Sequence, residues 1–198
     1  MGYSNFKKIR TVVRKFELDI ELAILFPYLK PHLPSEWLNE SLAIVDFMPI
    51  TNEKSKAERI ISPILTEVAK QYQQQVTLFS GEEININPQE DLAGECDFIF
   101  ALQKPKPYVE APIISLTEAK DEDMDWGMAQ CAAQMYGAML FNEAERRPIT
   151  TIYGCATDGI EWRFMKLHQQ LYTIDTKTYT AIPEILGVWH RIIRQYVQ

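Results

Sequence analysis

Apolar residues recur along this chain with two different periods, and the switches between them set out an order of elements. Residues 53–74 carry Ile61, Ile64, Leu65, Val68 and Tyr72 at the three- and four-residue spacing of one helix face. Residues 75–86 read as a strand ending near Gly81. Two further runs, 96–102 (CDFIFAL) and 113–120 (IISLTEAK), are apolar on both faces, the mark of strands covered on both sides rather than wet on one. Residues 126–142 are so small and apolar all round that a helix there must pack closely against a sheet or a partner. Residues 149–156 and 160–167 are strands joined through Thr157-Asp158-Gly159, a short hairpin signal, and 171–175 could add another. The C-terminal segment repeats Ile182, Ile185, Leu186, Trp189, Ile192, Ile193 and Tyr196 at helical spacing, with His190 on its polar face. The pattern predicts an α/β (α+β) protein with a central mixed sheet, against which helices 53–74 and 126–142 pack.

The first fifty residues are less regular. Residues 3–16 interleave Lys7, Lys8, Arg10, Arg14 and Lys15 with Tyr3, Phe6, Ile9, Val12 and Val13, a short basic amphipathic segment. Acid-rich FELDIELA follows it, which favours a solvated face over a nucleic-acid or membrane contact. Pro27, Pro31 and Pro34 break the chain into a loop, Ser35 is placed to cap a turn at Glu36-Trp37-Leu38, and residues 42–50 read as a strand or extended docking segment with a structural Asp46. Residues 1–50 are therefore expected to be a helical and extended segment packed on a core of residues 51–198, one compact domain in all.

Composition removes several classes of function. A net charge of −7 and a pI near 5.1 argue against coating nucleic acid nonspecifically, though not against a local basic groove. Cys96, Cys131 and Cys155 are odd in number, widely spaced and without a CxxC pair, so neither a disulfide framework nor a thiolate zinc site is suggested. No apolar run is long enough to span a bilayer, and MGYSNFKKIR lacks the apolar stretch of a signal peptide. These features lead to the expectation of a soluble, cytoplasmic protein with no membrane partner. His32 and His168 are expected in loops, and no histidine cluster, Ser-His-Asp set or glycine-rich phosphate loop is visible.

Chemistry concentrates in the two doubly apolar strands. Side chains alternate along a strand, so Glu118 and Lys120 share one face, roughly 6–7 Å apart, while Ala119 points to the other. Pairing the strands like a hairpin would bring Asp97 near Glu118. The plainer reading is an exposed ion pair, which contributes little; charges at the end of a strand apolar on both faces point instead to a site. On helix 53–74, Glu58 projects to the edge of the apolar stripe, about 20° from Leu65, and Glu67 to the opposite side. Pro63 either kinks that helix or starts it with Ser62 as cap, in which case Glu58 lies outside it. After Lys120 the run DEDMD reads as a helix N-terminus that Asp125 could cap, and Gln130 and Gln134 lie one turn apart on the helix that follows.

Taken in order, a helix with Glu58, a strand, a strand with Asp97, a strand ending Glu118-Ala119-Lys120 and a helix with Gln130 resemble the PD-(D/E)XK nuclease superfamily, the restriction-endonuclease-like αβα fold, over roughly residues 50–167. Within it, the chain most resembles small bacterial proteins akin to the N-terminal nuclease domain of type I restriction subunits. The resemblance implies DNA cleavage with Mg²⁺ or Mn²⁺. Asp97 and Glu118 would bind the metal, the Ala119 carbonyl could add a ligand, Lys120 would hold water or shield the phosphate, and Glu58 would assist at a second ion. Gln130 matches the family's helix glutamine better than Gln134 by its distance from the tripeptide. Two departures stand out: Cys96 rather than proline precedes Asp97, and Tyr136 lies six residues after Gln130. The alternative is a nuclease-like domain used only for binding. A homodimer is also expected, because the helices around Trp126 and Trp189 offer more apolar surface than one sheet face needs.

Overall fold

The computed structural model describes residues 2–120 and 123–197. Helix α1 (Ile9–Lys15), strand β1 (Asp19–Ala23) and helix α2 (Glu36–Ala43) precede a broken helix made of α3 (Glu53–Lys56), a π-helical turn (Ala57–Ile61) and α4 (Ser62–Gln71). Then follow β2 (Thr77–Glu83), β3 (Glu95–Ala101), β4 (Ile113–Ala119), α5 (Met124–Ala144), β5 (Thr151–Thr157), β6 (Trp162–His168), β7 (Leu171–Tyr179) and α6 (Ile182–Ile193). The strands form one sheet in the order β1-β7-β6-β5-β4-β3-β2. It is mixed, as expected: β1–β7 and β4–β5 run parallel, and every other neighbouring pair runs antiparallel.

A sheet buried on both faces needs a layer on each. Helix α5 links β4 to its parallel neighbour β5 and packs on both, with α1 and Tyr3 laid over it; Phe6, Val12, Leu116, Cys131, Met135 and Tyr172 lie in this core. The opposite face carries α4 and α6, with Ile61, Leu65, Phe100, Phe164, Trp162 and Trp189 between them and the sheet. β4 is consequently buried at all seven positions. Contact between α5 and β5 is close because Gly154 has no side chain: a Cβ there would collide with the sulfurs of Met135 and Cys131. All three cysteines are buried free thiols.

Several expectations change. Residues 42–50 are not extended: α2, capped by the Ser35 hydroxyl accepting the Leu38 N–H at 3.2 Å, continues to Ala43 and passes into a 3₁₀ turn, Ile44–Asp46. Of the two alternatives for Pro63, it does not start the helix but distorts it. The helix starts at Glu53 under an Asn52–Ser55 capping box, and the turn widens to π geometry just ahead of the proline, which has no N–H to bond backwards. β2 runs on past Gly81 to Glu83, with Gly81 at φ +70°, a conformation glycine adopts without strain. His190 is buried rather than on a wet face, because the loop of residues 27–34 folds over α6 where Gly187 lets the Lys30 carbonyl approach. The Tyr72 hydroxyl lies 3.0 Å from His190 Nδ1, and the His32 ring is 4.1 Å from the His190 ring. His168 closes β6 instead of lying in a loop. The 1–50 segment contributes a strand of the sheet itself, β1.

Candidate active site

β3 and β4 pair as far as Phe98 and Thr117 and then part. One step beyond, Asp97 stands where it would oppose Glu118, and its side chain takes over the role of backbone: Oδ2 accepts the Ala119 N–H at 2.7 Å. On the other flank, the β2–β3 register sets Gly81 opposite Asp97, between the pairs Ser80–Phe98 and Glu82–Cys96. The parted strand ends and the start of α3 enclose a cleft of about 350 Å³, bounded by Glu53, Glu58, Gly81, Glu95, Asp97 and Ala119.

Glu118 points to the α5 side and is only 2% exposed. Its Oε2 accepts from Gln134 Nε2 at 2.8 Å, and its Oε1 lies 3.6 Å from Lys120 Nζ. The Lys120 ammonium is in turn 3.9 Å from Glu53 Oε2 and 4.8 Å from the centre of the Trp126 ring, whose other cation contact is Lys7 at 5.0 Å. Gly127 permits this arrangement, since a Cβ there would come within 3.0 Å of Lys120 Cβ as α5 begins. The helix is capped by Asp123, whose carboxylate accepts the Trp126 N–H at 3.0 Å; Asp125, expected as the cap, is an exposed first-turn residue 3.7 Å from Arg163. Asp121 and Glu122 of the acidic run lie outside the described residues.

Burial dominates the electrostatics. It raises the Asp97 carboxyl from 3.8 to about 6 despite the Ala119 N–H, and nearby Glu53 adds to the rise. Glu118 is raised well above its ordinary value, first by burial and then by the charge of Asp97, against the pull of Gln134 and Lys120. Two carboxyl groups thus share a poorly hydrated place in which each added negative charge is costly.

Asp97, Glu118 and Lys120 are brought together as expected, and Ala119 joins them through its N–H. Glu58 lines the same cleft as Asp97 but is not the inward-turned acid of its helix, and Gln130 is not the amide bonded to Glu118. Glu58 is exposed on the outer wall of the cleft, 3.9 Å from Lys54, because the π turn breaks the regular 100° projection that set it beside the apolar stripe. Glu67 is the inward acid instead, 4% exposed and accepting the Ser35 N–H at 3.0 Å, since α2 covers that flank of α4. The acid that reaches Lys120 is Glu53, which the capping sequence Asn52-x-x-Ser55 could have placed at a helix start. The amide on Glu118 belongs to Gln134; Gln130, one turn earlier, keeps a buried Oε1 with no partner, as does Gln134.

A buried carboxyl and a half-buried one, both with raised proton affinity and beside a cleft rich in further acids, are donors of the kind used by a hard divalent cation that keeps most of its waters, which needs only one or two carboxylates. Among the described residues, no three His, Cys, Asp or Glu side chains stand together as a ready ligand set. No helix among the described residues is long and apolar enough to cross a membrane. No protein-family model matches the chain, and a search of curated proteins finds no match either.

Proposed function

We propose that this protein is a metal-dependent nuclease that hydrolyses DNA phosphodiester bonds at the cleft beside Asp97. The observation that carries the reading is the convergence of Asp97, Glu118 and Lys120 where β3 and β4 part, with the proton affinity of both carboxyls raised by burial and the ammonium 3.6 Å from Glu118. Asp97 and Glu118 are the residues that would hold Mg²⁺ or Mn²⁺. A bound ion would supply a water of lowered pKa and relief of charge on the phosphate. Asp97 lines the cleft and offers the oxygen not engaged by Ala119. Gln134 fixes the Glu118 carboxylate, and Lys120, steadied by Trp126, presents a cation beside the reacting phosphate. Glu53, more than Glu58, tunes that cation.

The test is incubation of single-stranded, duplex and branched DNA with purified protein and Mg²⁺ or Mn²⁺, with EDTA as control. Cleavage should require the metal and fall by on the order of 10²-fold or more in Glu118→Ala and Lys120→Ala, while Glu58→Ala stays near wild type. Cleavage that survives Glu118→Ala, or an intact panel with either metal, would overturn the proposal. A binding module without catalysis is the second reading. It is favoured by the ion pairs that already engage Lys120 with Glu53 and Glu118, and an intact panel that is nevertheless bound would establish it.

A further inference from the structure

The two edges of the sheet are built differently. β2, at one end, carries Ser80, Glu82 and Glu83 and the positive-φ Gly81, features that discourage pairing with another strand. β1, at the other end, has four exposed residues out of five and neither lysine, proline nor bulge. Ile20 is 48% exposed, Leu22 70% and Ile24, the next residue along this side, 65%. The cross-strand partners of Ile20 and Leu22 on β7, Tyr172 and Ile174, belong to the α1–α5 face, so the three apolar side chains form a stripe on that face beyond the reach of its helices. Glu21 lies on the other face, accepting from the Thr173 hydroxyl at 2.9 Å.

The backbone singles out the same residues. The Asp19 N–H bonds inward to the Gln170 carbonyl at 2.9 Å. N–H and C=O of one residue point to the same side of a strand, and the side alternates residue by residue. Asp19, Glu21 and Ala23 therefore face β7, and the free donors and acceptors of the edge belong to Ile20 and Leu22.

We infer that β1 is a homodimer interface, pairing antiparallel with β1 of a second copy about a two-fold axis at Leu22. In that register Leu22 faces the partner's Leu22 and Ile20 faces the partner's Ile24, so the outward backbone groups and the apolar stripe are satisfied by the same pairing. Glu21 meets the partner's Ala23. Centring on Glu21 instead would set two glutamates directly opposite each other. The interface is isologous, as a closed dimer requires. It replaces the helical one expected above, since α5 lies under α1 and Trp189 is fully buried on the sheet. A short edge pairing covers little surface, so the association is a weak one that depends on protein concentration. The inference is independent of the nuclease reading.

Sedimentation equilibrium of the full chain should show the mass rising from 23.0 kDa toward twice that value with concentration. Leu22→Lys places like charges on the two-fold axis at an exposed position and should remain monomeric with an unchanged circular dichroism spectrum. The native cysteines are buried, so Leu22→Cys should be joined by a short thiol cross-linker much faster than Ile160→Cys, an exposed position on the β5–β6 turn. A monomer at hundreds of micromolar overturns the inference. So does a dimer indifferent to Leu22→Lys, or equal cross-linking of the two cysteine variants.

Discussion

Asp97 does two things at once: its carboxylate completes the strand pairing at Ala119, and it carries charge into a half-buried place where burial disfavours it. The first role needs only an acceptor; the second is a strain on the fold. The folded chain keeps the Asp97 proton up to about pH 6, whereas the unfolded chain releases it near 3.8. Between those values the native state binds more protons at this group, so the contribution of Asp97 to stability is fullest at acid pH, falls as pH rises and levels off above about 6; Glu118, also raised, acts in the same direction. Asp97→Asn keeps an acceptor for Ala119 and removes the charge. It should therefore raise stability at pH 8 by on the order of 1–3 kcal/mol in urea denaturation without metal, lose that advantage at pH 4, and lose cleavage. Gln134 and Gln130 should separate just as clearly. Gln134→Leu strips the Glu118 carboxylate of its donor and should impair cleavage, while Gln130→Leu removes an unpartnered buried oxygen and should be neutral or stabilising by up to about 1 kcal/mol. Side-chain alternation placed Glu118 and Lys120 on one face correctly. It could not say which glutamine lies over Glu118, because that depends on how α5 crosses β4.

Among the elements, β3 and β4 were legible because a strand buried on both faces has to be apolar throughout, and the polar residues that interrupt it then stand out. The broken helix was half legible. Its apolar stripe was real, but the π turn ahead of Pro63 is a backbone response to a missing N–H, and a regular projection through it sends Glu58 to the wrong place. β1 was missed although Ile20 and Leu22 alternate with acids, since a five-residue edge strand has no buried face to announce it. Gly154 offers a test of how closely the layers meet. Gly154→Ala should destabilise by roughly 1–3 kcal/mol through its clash with Met135 and Cys131, seen as a lower urea midpoint, whereas Gly159→Ala, on the β5–β6 turn where a Cβ would meet Ile60 at no closer than 3.5 Å, should act through its φ of +89° and not through a clash.

For the whole molecule, the α/β class and mixed sheet followed from the alternation of helical and strand patterns, while the long-range pairing did not: β1 and β7 meet across most of the chain, and nothing local encodes that contact. The same architecture gathers acids from α3, the π turn and β3 into one cleft, in a protein whose formal charge is already −7. An ion that binds only the folded state adds stability by mass action, about 2.7 kcal/mol at a hundredfold excess over its dissociation constant. Mg²⁺ should accordingly raise the melting temperature more at pH 8 than at pH 5, where protons compete for Asp97 and Glu118. The most direct measurement of the site is calorimetric titration of Mn²⁺ into wild type and Asp97→Asn at pH 7.5. The account predicts saturable binding with proton release in the wild type, kept in Lys120→Ala and Glu58→Ala and lost in Asp97→Asn. Absence of binding in the wild type, or an isotherm that Asp97→Asn leaves unchanged, would contradict it.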